Sequence, residues 1–408
     1  MARKRELEAE ATGPLKGIRI VDLTSVVFGA YATQMLGDLG ADVIKIEFPG
    51  GRRGAGGDIM RWAGAVPEGA PADLGPIYMT INRNKRSILL DLREASAMRA
   101  LKKLIKSADV FAASVRYDGL KRLGLGYEDL NALKSDIVYV HGAGYGSDGP
   151  YAGEPAYDDL VQSAAGFGDL LSRVDGDPTP RILPNLIADK VSGHFMVQAV
   201  LAALFHKART GEGQLVEVPM FECMTSFNLA ENLHGHVYDP PTGDWGYSRV
   251  MNPHRKPFPT KDGHIGLLPY TDQQWDQFFA IAGWTETIAR DPRFADYKTR
   301  AQNVRALYAM VDEVTATRTT DEWLALLKPL QIPVVRMNRL DDLMDDPHLD
   351  AVGFFERYEH PKAGPYHQMK PPIAFSATPA NVRRHPPEMG EHTEEILAEL
   401  DGAPEVAE

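Results

Sequence analysis

A single cysteine, Cys223, is all the thiol this 408-residue chain contains, so no disulfide can form within it. Basic residues are scarce as well: 44 Lys and Arg stand against 56 Asp and Glu, a net charge of −12. That balance argues against nucleic acid as a partner, because such binding rests on many cationic contacts to phosphates, but it leaves room for a local cationic pocket. No window approaches ~18 uninterrupted apolar residues, so no membrane-spanning helix is expected. The opening MARKRELEAEATGPL has basic residues but no apolar stretch of signal-peptide length behind them. With one cysteine, this points to a cytoplasmic location. The sequence also lacks H-E-x-x-H, G-x-x-x-x-G-K-[ST] and G-x-S-x-G, and with them the motifs of zinc proteases, P-loop enzymes and serine hydrolases.

What is present is an ordinary globular composition, 44% hydrophobic and 25% charged. The chain exceeds the ~250–300 residues at which single cores stop growing, so two domains are expected. From Gly17 the text alternates a β-branched strand at 18–23, a helix at 30–39 closed by Gly40, and a strand at 43–46, which is a βαβ opening. Residues 49–75 are dense in Gly and Pro and read as a long loop. The alternation resumes with strands at 87–90, 110–113, 137–141 and 214–218. Helices at 96–107, 127–133, 157–171 and 190–207 lie between them, and this order implies a parallel sheet. After Met220 a helix and a breaker-rich stretch mark a change of character. Further on come a strand at 264–268, helices at 273–282 and within 300–327, and a strand at 332–337.

Several groups carry possible chemistry. Gly144, Gly146 and Gly149 spell G-x-G-x-x-G after a strand, but Pro150 and Pro155 follow where a dinucleotide site needs a helix. These glycines are read as turn formers that let the backbone pass close to a neighbour. His234 and His236, beside Glu231 and Asp239, could offer metal ligands or be a surface pair, and a helix end does not put residues two apart on one face. Cys223 lies in an apolar helical stretch and is read as a buried thiol. Arg83, Lys85 and Arg86 precede a strand, and Arg93 and Arg122 follow strands, where parallel sheets gather ligands. The run could serve phosphate or simply be solvated. Asp189 stands immediately before the Lys190 helix, where it could be an N-cap or a carboxylate nucleophile, and local sequence does not separate the two.

LGDLGADVIKIE at 36–47, NKRSILLDL at 84–92, AALFHKARTGEGQLVEVPM at 202–220 and GEHTEEIL at 390–397 together resemble the class III CoA-transferases, the family of formyl-CoA transferase, carnitine CoA-transferase and α-methylacyl-CoA racemase. The likeness runs from about Pro14 to Leu400. It implies a Rossmann-like parallel-sheet large domain with a smaller α+β domain, in an interlocked homodimer. The large domain would hold 1–225 and the return segment 329–408, and the small domain 226–328. Asp189 takes the place of the family's catalytic aspartate, whereas Asp158 and Asp159 fall in a different family segment. The resemblance assigns coenzyme A to Val27, Phe28, Leu90, Arg93, Ser114, Val115, Arg122 and Tyr145. Phe48 and Val27 replace an arginine and a glutamine of formyl-CoA transferase, so polar contacts at those places are not carried over.

The implied function is transfer of coenzyme A from an acyl-CoA to a carboxylic acid, through a mixed anhydride and an aspartyl-CoA thioester on Asp189. No permanent cofactor or metal is implied, and backbone N–H groups near the aspartate are expected to face the oxyanions. The glycine-rich loop of formyl-CoA transferase has no counterpart between Tyr238 and Lys261, which disfavours oxalate with formyl-CoA. Two rival readings are a racemase-like epimerase and a non-catalytic CoA-binding protein. The first lacks its histidine, since Tyr157 fills that place, and the retained Asp189 speaks against the second.

Overall fold

The computed structural model describes residues 3–8, 10–50 and 54–402. By contacts the chain divides into two units, Met1–Gly166 with Ile182–Phe227 and Met344–Glu408, and Phe167–Arg181 with Asn228–Leu343. Residues 51–53 of the expected 49–75 loop, and the ends of the chain, lie outside the described residues.

The first unit is built on a six-stranded sheet. Its strands are β1 (Arg19–Leu23), β2 (Asp42–Glu47), β3 (Lys85–Leu89), β4 (Val110–Ala113), β5 (Val138–Ala143) and β6 (Gln214–Pro219), in the order β3-β2-β1-β4-β5-β6. Every neighbouring pair is parallel. Such a sheet must be covered on both faces, which is why the inner strands are almost wholly buried. The connecting helices are α1 (Phe28–Asp38), α2 (Pro76–Ile81), α3 (Ala95–Lys106), α4 (Tyr117–Arg122) and α5 (Tyr127–Leu133). On one face α3 sends Leu101, Leu104 and Ile105 into a core with Ile44, Ile88, Phe111 and Tyr139. This order reverses direction between β1 and β4, where open α/β sheets form their ligand crevice.

The expected single helix at 157–171 is two helices, α6 (Asp158–Ala164) and α7 (Phe167–Asp175). Gly166 separates them at φ +82°, a left-handed conformation that no helix continues through. Then follow α8 (Ile187–Thr210), closed by Gly211 at φ +78°, and α9 (Met220–Asn232). The helix α8 starts three residues earlier than the sequence suggested, with Leu186 as its N-cap, so Asp189 is not a cap but a residue of the first turn.

The second unit is α+β. Strands β7 (Phe258–Pro259), β8 (His264–Leu267) and β9 (Val334–Arg336) form an antiparallel sheet in the order β9-β8-β7. Helices α10 (Asp272–Ala282), α11 (Thr285–Ala289), α12 (Tyr297–Gln302), α13 (Val304–Thr315) and α14 (Thr320–Leu327) pack with it around Phe278, Phe294 and Trp323. After it the chain returns to the first unit through α15 (Pro347–Ala351), the hairpin β10 (Phe355–His360) and β11 (Gly364–Met369), and α16 (Thr393–Gly402). Ile396 and Leu400 of α16 join the core beneath α3.

Candidate active site

Asp189 is 6% exposed. Among the described residues its carboxylate oxygens accept no hydrogen bond, so the capping role that could have explained this aspartate is not performed. Its backbone N–H donates to Asp158 Oδ1 at 3.1 Å, so the cap comes from another helix. Gln162 donates to Asp158 Oδ2 at 2.7 Å and to the Asn185 carbonyl at 3.0 Å, and accepts from the Leu183 N–H at 3.0 Å. In this way α6 clamps the segment that leads into α8. Burial first, then the Asp158 and Asp159 charges, pushes the Asp189 carboxyl up to about 7. A buried carboxylate without donors is costly for folding, and such perturbed groups gather at functional sites. The N–H of Asp189 is committed to Asp158 and that of Ile187 to the Asn185 carbonyl, 2.7 Å away. Neither of these two backbone donors is therefore free for an oxyanion.

One turn along α8, a Cβ at Gly193 would lie 3.1 Å from the Phe28 carbonyl and 3.2 Å from Tyr31 Cδ1. This close approach, with the edge-on contact of Tyr31 and His194 at 5.6 Å, sets α8 against the start of α1. Asp189 thereby stands near the loop that follows β1. Val26 in that loop has φ +64°, a strained conformation for a β-branched residue. Its N–H donates to Asp58 Oδ1 at 3.1 Å. Buried Lys45 pairs with Asp58 at 2.9 Å and donates to the Thr24 carbonyl at 2.9 Å. Next to it Lys85 pairs with Asp22 at 3.2 Å, and Asp22 Oδ1 accepts the Thr24 N–H at 2.9 Å. Four buried charges therefore brace the strained loop from beneath.

The residues assigned to coenzyme A fall as follows. Val27 and Phe28 are buried at the start of α1, and Phe28 fits because Gly142 lacks a Cβ, which would lie 2.7 Å from its ring. Ser114 accepts the Ser25 N–H on Oγ at 3.2 Å, which ties the loops after β1 and β4 across the switch point. Val115 is 41% exposed, and its carbonyl lies 3.0 Å from Nε2 of His141 on β5. Leu90 is buried, and its N–H donates to the Glu47 carbonyl at 2.9 Å. Arg93 pairs with Asp91 at 2.6 Å and holds its guanidinium 4.8 Å from the centre of the Phe48 ring. A cation is thus present beside Phe48 although that position is not itself basic. Arg122 ends α4, exposed and without an ion-pair or hydrogen-bond partner among the described residues. Tyr145 packs on Tyr151 and Phe221, at 5.4 and 5.6 Å between ring centres.

The structure corrects one expectation about charge. Arg83, Lys85 and Arg86 do not form a phosphate-binding run, because each is buried and internally paired. Arg83 pairs with Asp38 at 2.7 Å, Lys85 with Asp22, and Arg86 with Asp42 at 2.7 Å and with Glu395 at 2.9 Å. A buried cation needs such partners, and within the first unit the Arg86–Glu395 pair also ties β3 to α16 of the returning tail. The glycine loop also meets protein: Gly144 leaves room for Ala156, and the Gly146 N–H donates to Glu222 at 2.9 Å. His236 stacks on Trp245 at 4.2 Å, and burial pushes the Cys223 thiol up to about 11. Gln162, Lys45 and Asp58, which the sequence reading passed over, and Asp158, which it set aside as part of a different family segment, stand around the candidate site. Only Lys45 carried a signal, as a charge inside the apolar strand VIKIE.

A family model described as CoA-transferase family III matches residues 15–393. The succinate–glutarate CoA-transferase of Agrobacterium fabrum is 31% identical over 393 residues, covering 95% of this chain and 96% of that protein. The succinyl-CoA:glutarate CoA-transferase of Mus musculus is 29% identical, covering 96% of this chain and 88% of that one. The crystal structure of a CaiB/BaiF family protein from Brucella suis is similar with a TM-score of 0.79 at 30% identity, over 96% of this chain and all (100%) of that one.

Proposed function

The chain belongs to CoA-transferase family III, and we propose that this CoA-transferase moves coenzyme A from an acyl-CoA donor to a carboxylic acid acceptor through covalent intermediates on Asp189. The observation that carries the reading is the buried Asp189 carboxylate, which accepts no hydrogen bond among the described residues and titrates near neutrality, at about 7. Desolvated and held by its backbone, it is a stronger base and nucleophile than a solvated carboxylate.

In the first step an Asp189 oxygen attacks the thioester carbonyl carbon, and the carbon–sulfur bond breaks. The products are an acyl-aspartyl anhydride and CoA thiolate. The thiolate then attacks the aspartyl carbonyl carbon, releases the donor as a carboxylate, and leaves an aspartyl-CoA thioester. An acceptor carboxylate attacks that thioester, and the same steps in reverse give the new acyl-CoA and free Asp189. Every bond broken is matched by one formed, and no electron acceptor or metal enters.

Coenzyme A is proposed to lie along the carboxyl ends of β1, β3, β4 and β5, against Val27, Phe28, Leu90, Ser114, Val115 and Tyr145. Arg93 and Arg122 would face its phosphates, as suits the guanidinium. The relatives named for succinate and glutarate make dicarboxylic acids the first acceptors to examine. An interlocked homodimer and a cytoplasmic location complete the proposal. No helix among the described residues is long and apolar enough to cross a membrane.

The test is covalent trapping. The protein is incubated with succinyl-CoA, quenched with hydroxylamine and digested, and mass spectrometry should find a hydroxamate on Asp189. A hydroxamate on another carboxylate, or full turnover by Asp189→Ala, would overturn the assignment.

A further inference from the structure

The second unit holds a cavity of about 100 Å³ that no step above uses. Its walls include the rings of Tyr270, Trp275, Tyr297 and Tyr308, together with Arg249 and Arg300, and no carboxylate lines it. In a chain of net charge −12 this is a local reversal of sign. The walls are ordered by ring contacts: Trp275 stacks on Tyr308 at 6.4 Å, and Tyr270 meets Tyr297 edge-on at 6.5 Å. The Arg249 guanidinium lies 5.0 Å from the centre of the Tyr270 ring.

Arg300 is the unusual member. Its side chain is 6% exposed, yet its ion pair is with Asp272, whose carboxylate is 62% exposed and mostly solvated. Nη1 donates to the Phe294 carbonyl at 3.0 Å, while Nε finds no partner among the described residues. Leaving a guanidinium donor dry and unmatched is unfavourable, and the missing acceptor is most simply one that arrives with a ligand.

We propose that this cavity binds a small organic carboxylate, whose oxygens meet the unmatched Nε–H of Arg300 and the guanidinium of Arg249 and whose hydrocarbon part lies against Trp275 and Tyr308. A planar carboxylate matches the guanidinium fork and can take two parallel bonds from it. Aromatic walls favour a ligand with a hydrocarbon body over inorganic phosphate. The volume, about 100 Å³, has room for a short acid and not for a molecule the size of coenzyme A. This inference stands apart from the chemistry at Asp189.

The experiment uses full-length Asp189→Ala protein, in which transfer cannot consume the ligand, and follows succinate, glutarate and propionate binding by calorimetry. One saturable site is expected. Arg300→Gln and Arg249→Gln should each weaken it by at least about tenfold, the scale of losing a charge-assisted pair. Circular dichroism reports whether each variant folds, and if Arg300→Gln does not, the less buried Arg249→Gln decides. No saturable binding of any acid, binding indifferent to the folded arginine variants, or equally tight binding of inorganic phosphate would each overturn the proposal. Residual transfer by Asp189→Ala would instead sink the nucleophile assignment and leave this site standing.

Discussion

Asp158 holds Asp189 in place and opposes its ionisation at once: its Oδ1 accepts the Asp189 N–H at 3.1 Å, while its charge adds to the burial that lifts the Asp189 carboxyl to about 7. As the proposed nucleophile Asp189 must be ionised to react, so kcat/KM should rise with pH through a midpoint near 7. Asp158→Asn keeps an acceptor oxygen but removes the charge, and should move that midpoint down. Most of the elevation should remain, because burial is its leading cause. A pH–rate profile of the variant that coincides with wild type would remove Asp158 from this role.

The same carboxylate should cost stability. Its folded pKa of about 7 lies above the ordinary 3.8, so the folded state holds a proton that the unfolded chain has released between those values. Stability is therefore unaffected below the ordinary value, falls as pH rises through this window, and carries the full penalty above 7. Asp189→Asn, neutral throughout, should be more stable than wild type by roughly 2–4 kcal/mol at pH 8, with a smaller gap at pH 5. Denaturant midpoints at the two pH values measure it. An equal gap at both would mean that the carboxylate is not protonated in the fold.

Much of the sheet was legible because its strands are β-branched runs and its helices end at Gly40 and Gly211, both with positive φ. These are local signals, and local signals survive folding. The place of Asp189 was not legible in the same way. Its cap is Asp158, thirty-one positions away, and nothing in the sequence around Ile187 announces that a distant carboxylate will start the helix early. Arg83, Lys85 and Arg86 misled for a related reason. A cation before a strand looks the same whether its partner is a phosphate or Asp38, Asp22 and Asp42, and only the fold brings those carboxylates within reach. Gly166, in contrast, stood in view inside the helix expected at 157–171 and was the break.

Val26→Gly tests whether strain in the loop after β1 is functional. Relief of a left-handed β-branched residue should give back of order 1–3 kcal/mol, less the roughly 0.5–1 kcal/mol by which glycine loosens the unfolded chain. The variant should therefore be at least as stable as wild type, yet bind acyl-CoA more weakly because the loop is no longer fixed. A higher KM for every acyl-CoA, beside an unchanged or raised Tm, is the expected pattern. A lower Tm with an unchanged KM would show that the strain has no part in binding.

Arg122 and Arg93 should differ in their contribution to carrier binding. Arg93 is neutralised by Asp91 at 2.6 Å, whereas Arg122 has no partner among the described residues and is the more available to a phosphate. Arg122→Ala should raise KM for all acyl-CoA substrates alike and lessen the salt dependence of kcat/KM, since it touches the carrier and not the acyl group. Arg93→Ala should do so more weakly. A fall in kcat at constant KM for Arg122→Ala would place this residue elsewhere.

Deuterium decides between transfer and epimerisation. Exchange at the carbon α to the thioester needs a base that removes its proton, whereas attack by Asp189 on the carbonyl leaves that carbon untouched. The aromatic side chain where the racemase branch has its histidine is Tyr157, exposed just ahead of α6. In D₂O, with succinyl-CoA and glutarate, glutaryl-CoA should accumulate with no deuterium at its α carbon beyond that of an enzyme-free control. A 2-methylacyl-CoA should likewise stay unlabelled. Enzyme-dependent label uptake without consumption of an acceptor acid would overturn the transfer assignment, and substitution of Tyr157 and Asp158 in turn would then locate the base.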